Sequence, residues 1–244
     1  MPRKFDYLSP EGFRIDGRRA EETRKMDCGL GNIHGADGSC YVHMGNTKII
    51  GMLYGPKEPS DRATRDPQTA VVVVNITHSF NSHKIQMKHD TKAKEMETFV
   101  RKTLESALEL QNYPRTVIET EFVVFEEDGD TLAAILNAAF LVTAHAGLTM
   151  QKCFSACGVA LVKDAVLVDP NTLEETSHSP CLTAVSTVDG ELLGSILGSG
   201  TVHTDTLMKM IEHAQEAAAK TIAPLKKTLA AYLGQKGLSP WSSS

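Results

Sequence analysis

The sequence has few aromatic residues and no long apolar segment. Aromatic residues fill 6% of the 244 positions, and a single tryptophan is present. No stretch approaches the roughly 18 consecutive apolar residues that a membrane-spanning helix needs. The opening MPRKFDYLSPEGFRIDGRR also lacks the apolar core of a secretory signal. We therefore expect a protein that neither crosses a membrane nor enters the secretory pathway.

The sequence also lacks an excess of positive charge and a cysteine pair of the metal-binding type. Its net charge of −5 argues against bulk nucleic-acid binding by a uniformly basic surface, but a local basic strip stays possible. The five cysteines are odd in number, and Cys153 and Cys157 are four residues apart, not three as in C-x-x-C. We expect five buried, reduced thiols in a cytosolic or nuclear protein, with no metal site and no cofactor.

Apolar periodicity predicts most elements of the first half. Strands are expected at residues 39–43 and 48–54, joined by a turn, and a strand buried on both faces at residues 71–77. The chain up to about residue 24 is expected to be irregular. A helix is expected over residues 92–112, then a strand at 116–126. The turn EEDGDT ends in an N-cap candidate, Thr131, before a helix at 132–146 that is apolar on every face and hence central.

The second half repeats this order of strands followed by a helix. Strands are expected at residues 157–162, 165–168, 181–188 and 192–198, and a long helix at about 204–233. Two similar halves of this kind indicate an α+β protein. We expect one compact unit with an N-terminal subdomain at residues 1–150, its core starting near residue 17, and a C-terminal subdomain at residues 151–244.

Two acidic turns are candidate sites. The turn before the central helix could hold a phosphate at the helix N-terminus, but its carboxylates would repel an anion, which favours a capped helix start. The segment from Asp169 to Glu175 carries paired carboxylates that could bind a divalent metal or act as a general acid. From this stretch alone, an acidic surface turn is the more common explanation.

Basic residues cluster in two predicted loops. The first contains Lys57, Arg62 and Arg65, and the second contains Lys84, Lys88, His89, Lys92 and Lys94. Such cations could line an RNA path by neutralising phosphates. No aromatic residue interrupts HKIQMKHDTKAK, so base stacking is not indicated. A solvated charged loop explains the same residues equally well.

Five segments in sequence order closely resemble the RNase PH family. They are SPEGFRIDGRR, ADGSCYVHMGNTKII, YGPKEP, YPRTVIETEFVVFEEDGDTLAAILNAA and ALVKDAVLVDPNTLEE, and the similarity extends over about residues 9–230. The opening and the YPRTVI element look like the eukaryotic exosome ring subunit that is related to the catalytic archaeal half-ring. The resemblance implies the RNase PH fold: two β-α-β subdomains with central mixed sheets flanked by helices.

Active members of this family are phosphate-dependent 3′-to-5′ exoribonucleases, and the resemblance implies that this chain is defective. Active members carry Gly-Ser/Thr-Arg after the acidic turn, where this chain has Asp130, Thr131 and Leu132. Leucine replaces the arginine that holds phosphate, and Thr91 and Lys92 replace an arginine pair. Asp169 matches one acidic residue of the family, and Glu175 stands in place of a catalytic aspartate. We expect this remnant to be inactive, with no catalytic residue.

The resemblance implies a structural subunit of a hexameric exosome core ring. Arg62, Lys88 and Lys92 would contact single-stranded RNA in its channel. Expected partners are other RNase PH-like ring subunits, cap subunits and a separate nuclease that processes rRNA and degrades mRNA in nucleus, nucleolus and cytoplasm. An active phosphate-dependent 3′-5′ exoribonuclease is the rival hypothesis. Leu132 is the residue that distinguishes the structural subunit from the enzyme. A free-standing RNA-binding protein is a third.

Overall fold

The computed structural model describes residues 7–9, 11–59, 66–79, 86–162, 165–176, 179–198 and 200–236, with only the backbone of residues 86–91. The described part of the first half contains five strands, two α-helices and a 3₁₀ turn. They are β1 Met26–Leu30, β2 Gly38–Met44, β3 Thr47–Lys57, β4 Val71–His78, α1 Gln86–Ala107, the 3₁₀ turn Leu110–Asn112, β5 Val117–Glu126 and α2 Thr131–His145.

Four strands and two helices lie in the residues described for the second half. They are β6 Phe154–Val162, β7 Ala165–Val168, α3 Thr172–Glu175, β8 Cys181–Thr187, β9 Leu192–Leu197 and α4 Thr204–Gln235. None of the helices described is both long enough and apolar enough to cross a membrane.

Two sheets form the framework. The first has the strand order β1-β2-β3-β5-β4 and is mixed, because β4 and β5 are parallel and the other pairs are antiparallel. The parallel pair requires a crossover connection, which α1 supplies. The second sheet has the order β7-β6-β8-β9, and all three of its pairings are antiparallel. The predicted α+β class is confirmed.

Helix α2 lies between the two sheets. It packs against β2 and β3 of the first sheet and against β6 of the second. Twelve of its residues are buried, which confirms the prediction of a central helix. Its buried Asn137 donates to the Ala156 carbonyl oxygen at 3.0 Å and accepts from the Ala156 N–H at 2.9 Å. This pair of hydrogen bonds fixes the helix to the backbone of β6.

Three sequence predictions about individual elements are wrong. Strand β4 is buried on one face only, because α1 packs on that face and Asn75 and Thr77 on the opposite face are exposed. Helix α1 begins at Gln86 and ends at Ala107, both earlier than predicted. Strand β1 is absent from the predicted strands.

The cysteines are all free, as predicted, but only two of them are buried. Cys40 and Cys157 lie in the core, and burial raises the pKa of the Cys40 thiol to about 12. Cys28, Cys153 and Cys181 are partly exposed. The prediction of five buried thiols is therefore wrong for these three.

Candidate functional site

A cleft of about 340 Å³ opens where the N-terminus of α2 meets α1, α3, β8 and β9. It brings together most of the predicted remnant of the family's site. Its lining residues are Lys92, Glu95, Met96, Asp130, Thr131, Leu132, Glu175, Cys181, Thr183, Ile196 and Gly198. Asp169, by contrast, is fully buried and is not among the lining residues.

The turn before α2 is held by Asp130, whose φ of 48° places it in the left-handed region. One of its carboxylate oxygens accepts from the Gly158 N–H at 2.8 Å, and its own N–H donates to Glu175 Oε1 at 2.7 Å. A side chain at Gly158 would not fit, since an ideal Cβ would lie 2.1 Å from Asp130 Oδ1. Asp130 thus joins the turn to β6 and to α3.

The predicted side-chain cap of α2 is wrong. The N-cap residue is Asp130, and its side chain forms no capping hydrogen bond because its carboxylate is turned toward Gly158. Thr131, the predicted cap, is the first helical residue, and its hydroxyl donates to Glu127 Oε1 at 3.0 Å. The helix N-terminus is therefore bordered by carboxylates that are engaged elsewhere.

Burial and mutual repulsion perturb the carboxyl groups of the cleft. Burial raises the pKa of Asp130 to about 8, and the charges of Asp169 and Glu175 act in the same direction. Burial also raises the pKa of Glu175, while the hydrogen bond from the Asp130 N–H and the charge of Lys92 oppose that rise. The cleft therefore carries acidic groups that hold protons at unusually high pH.

Positive charge is scarce in the cleft. Among the lining residues that the structure describes, Lys92 is the only cation, beside the carboxyl groups of Glu95, Asp130 and Glu175. Its side chain is 62% exposed, and its Nζ lies 4.0 Å from Glu127 Oε1. Leu132 packs partly against the core and offers no hydrogen bond. No described lining residue therefore supplies the two parallel N–H donors of an arginine.

The segment from Asp169 to Glu175 is not the acidic surface turn predicted from that stretch. The side chains of Asp169 and Glu174 are fully buried. Asp169 accepts from Arg24 Nη2 at 2.6 Å, and Arg18 Nη1 lies 3.4 Å away. The prediction failed because the cations that neutralise this turn come from the far end of the chain.

Three arginines of residues 11–24, which we call the arginine strap, hold this turn: Arg14, Arg18 and Arg24. Arg14 is 3% exposed and forms a two-point ion pair with Glu174, one contact of which is Nε to Oε1 at 2.8 Å. It also donates to the carbonyl oxygens of Val168 and Asp169, at 2.6 and 3.0 Å. The N-terminal segment is thereby fixed to the second sheet.

Arg24 connects both turns that border the cleft. Besides its bonds to Asp169, it donates to the carbonyl oxygens of Asp128 at 2.6 Å and Gly129 at 3.1 Å. It therefore sets the position of Asp130 on one side and of Glu175 on the other. Sequence reasoning missed the arginine strap and Glu174. The sequence offered little signal, since residues 11–24 contain as many carboxylates as arginines and so do not indicate that three of the arginines pair with a distant turn.

The remaining predicted cations are placed only in part. Arg62, Arg65 and Lys84 lie outside the described residues, and so do the side chains of Lys88 and His89. Lys57 forms an exposed ion pair with Glu119, at 2.6 Å. The residues that the structure describes include no group of three His, Cys, Asp or Glu side chains placed to hold a metal ion.

Comparisons with known proteins agree with this fold. The models of domains 1 and 2 of the 3′ exoribonuclease family match residues 22–149 and 152–217. Exosome complex component RRP41 of Homo sapiens is 35% identical over 218 residues, which are 88% of this chain and 89% of that protein. Exosome complex component SKI6 of Saccharomyces cerevisiae is 37% identical over 181 residues, or 72% and 74% of the two chains.

The fold also matches solved structures. The crystal structure of rice (Oryza sativa) Rrp46 superimposes with a TM-score of 0.79 at 24% identity, covering 88% of this chain and all of that one. Both domain models and relatives above 30% identity thus cover most of the chain. The chain belongs to the 3′ exoribonuclease family and has the RNase PH fold.

Proposed function

We propose that the chain is a ring subunit of an exosome-type complex that contacts single-stranded RNA and has no phosphorolytic activity of its own. Ring membership is supported by relatives that are named exosome components and are similar over most of their length. The absence of phosphorolytic activity is a separate part of the proposal. It is supported by the residues that line the cleft.

The observation that carries the loss of activity is the chemistry around Leu132. Phosphorolysis needs cations that hold inorganic phosphate and offset the charge of the transition state. In the described cleft, Lys92 is a solvated point charge and Leu132 is apolar. By the sequence resemblance, Leu132 takes the place of the arginine of active members. Loss of an arginine that stabilises a transition state costs about 10³–10⁵ in rate.

One feature favours a second candidate, an active phosphate-dependent exoribonuclease. Glu175 is largely buried beside the Asp130 backbone, and its raised pKa suits a general acid. If the phosphate were held by groups outside the described cleft, Glu175 could still transfer a proton to the leaving oxygen. The two candidate functions differ in one reaction product, because only the active enzyme releases a nucleoside diphosphate.

The decisive measurement is a phosphorolysis assay on the complex purified through a tag on this chain. Single-stranded RNA labelled along its length is incubated with and without inorganic phosphate, and mononucleotide products are separated. We expect no nucleoside diphosphate in either reaction. Phosphate-dependent release of nucleoside diphosphate that disappears with Glu175→Gln would establish the enzyme instead. The Glu175→Gln complex also shows whether any activity belongs to this chain or to a neighbour.

The proposed RNA contact is between positively charged side chains of this chain and the phosphate backbone of the RNA. Lys92 is the one proposed RNA-binding residue whose side chain the structure describes, and it is exposed at the rim of the cleft. Arg62 and Lys88 complete the proposed set on sequence grounds. Several expectations stay predictions. They are the cap subunits, a separate nuclease, the RNA substrates, the cellular compartments and the division into subdomains at residue 150.

A further inference from the structure

A second groove, of about 490 Å³, lies between β1 and α4. It shares no lining residue with the cleft and has no part in the proposed function. Strand β1 forms one wall, and the flank of α4 that carries Lys227, Ala231 and Tyr232 forms the other. A sheet edge beside a helix is the arrangement in which several domain families bind an extended peptide.

The outer edge of β1 presents unpaired backbone groups. Strand β1 pairs only with β2. The Gly31 N–H donates to the Ser39 carbonyl and the Gly45 N–H to the Lys25 carbonyl. These two bonds show which residues of β1 direct their backbone groups toward β2. Because hydrogen-bonded residues alternate in an antiparallel pair, Met26, Cys28 and Leu30 direct their N–H and C=O groups away from β2. No hydrogen bond from the described part of the chain reaches these groups.

At two of the three other sheet edges, a hydrogen bond occupies a backbone N–H group. At β4, the Ile76 N–H donates to Glu97 Oε1 at 3.0 Å. At β7, the Val168 N–H donates to the Ala20 carbonyl oxygen at 2.8 Å. Proteins commonly cover edges in this way because bare edges pair with other chains. At β1, the groove leaves the edge open.

The helix wall of the groove is held in place. Cys28 Sγ lies 3.0 Å from Thr228 Oγ1, which ties β1 to α4. The Tyr232 hydroxyl lies 2.8 Å from His145 Nε2, and their rings meet edge to face. A small, exposed residue, Ala231, leaves space between them. A site that is already formed loses little conformational entropy on binding.

We propose that this groove binds an extended segment of about five residues from a partner protein, added as a sixth strand beside β1. Unpaired N–H and C=O groups in alternation are complementary to the backbone of a strand. Lys227 lines the groove and forms no ion pair with any residue that the structure describes. The groove also contains the exposed carboxylate of Asp27 on β1, so we expect a carboxylate only at the position of the segment that faces Lys227 on α4.

Paired variants test the backbone and the groove separately. Cys28→Pro removes the outward N–H and leaves the β1–β2 ladder intact, while Cys28→Ala removes the thiol alone. Ala231→Trp fills the groove, and Ala219→Trp places the same side chain at an exposed α4 position that does not line it. The probe is a phage-displayed library of random seven-residue peptides, selected on the full chain.

Selection is expected to enrich peptides with a carboxylate at one position, whose affinity falls at least about tenfold with Cys28→Pro and with Ala231→Trp. Cys28→Ala and Ala219→Trp should leave the affinity within about twofold of the original. Ala231→Trp alone decides the matter if Cys28→Pro fails to fold. Enrichment of no peptide, or of peptides that still bind Ala231→Trp, overturns the proposal.

Amide hydrogen exchange distinguishes strand addition from side-chain docking. Bound peptide should slow exchange at Cys28 and Leu30 and leave Asp27 and Gly29 unchanged, since the latter already bond to β2. Uniform or absent protection contradicts an added strand. A dimer in the mass of the full chain, lost with Cys28→Pro, would show that a second copy occupies the groove and would also overturn the proposal. Neither result affects ring membership.

Discussion

At the scale of single residues, the cleft depends on a carboxyl group that the fold keeps out of water. Asp130 is 3% exposed and lies near two further carboxylates, Asp169 and Glu175. Its hydrogen bond from the Gly158 N–H compensates only part of the cost of burying a charge. The protonated form is therefore favoured well above the ordinary pKa of 3.8.

This perturbation predicts a pH-dependent stability. The pKa of Asp130 rises from 3.8 to about 8 on folding, so between these values the folded state holds a proton that the unfolded chain loses. The contribution of Asp130 to stability is present below the unfolded pKa and is lost as pH rises through the folded one. Asp130→Asn does not titrate and can still accept from Gly158.

We expect the Tm of Asp130→Asn, relative to the original chain, to increase between about pH 5 and pH 8, by roughly 2–4 °C for each kcal/mol gained. Thermal unfolding followed by circular dichroism at both pH values measures the difference. A Tm difference that stays constant with pH would contradict the assignment.

The sequence predicted which residues of the site lie together, but not their environments. Asp130, Leu132 and Glu175 do line one cleft, as the resemblance implied. The burial of Asp169 and Glu174 could not be predicted from their own segment, since charged residues in a turn are normally exposed. Their burial depends on arginines about 150 residues earlier in the chain, which local patterns do not reveal.

At the scale of elements, helices and strands with strong local patterns were predicted well. The predictions of the largely apolar α2 and of the short strand β7 agree closely with the structure. Strand β4 was assigned the wrong burial because its run of valines does not reveal that only one of its faces is covered. Strand β1 was missed because its five residues contain glycine, aspartate and cysteine, and neighbouring β2 and α4 stabilise it.

The arginine strap predicts how stability changes when its buried ion pair is broken. Arg14→Met removes the guanidinium that pairs with the buried Glu174 carboxylate, and loss of one partner of a buried ion pair costs about 3–5 kcal/mol. Arg14→Met with Glu174→Gln should recover much of that loss, because glutamine is neutral and still accepts from the Asn171 N–H. Urea unfolding of the original chain, the single variant and the double variant measures these free energies. Equal stability of the two variants would show that the ion pair does not act as described.

At the scale of the whole molecule, a net charge of −5 means that RNA contact depends on where the cations lie. Lys92 is exposed beside the cleft, and Lys209 is an exposed lysine of α4 away from it. In an assembled ring, Lys92→Glu should weaken RNA binding and reduce the slope of log affinity against log salt by about 1.

Lys209→Glu is the matched control and should leave the affinity for RNA unchanged. The rings that contain either variant should keep their full mass. Filter binding of single-stranded RNA over a range of salt concentrations gives both slopes. If the two variants behave alike, Lys92 does not contact RNA.

The pairing of Arg14 with Glu174 also has a consequence for the order in which the protein is made. The two residues are 160 positions apart, so the ribosome supplies the acidic turn long after the arginine strap. At about 5–20 residues per second, the strap waits roughly 8–32 s for its partners. Until then its guanidinium groups stay hydrated, and the cleft takes its final shape only when translation has also passed β9, which supplies the last lining residues.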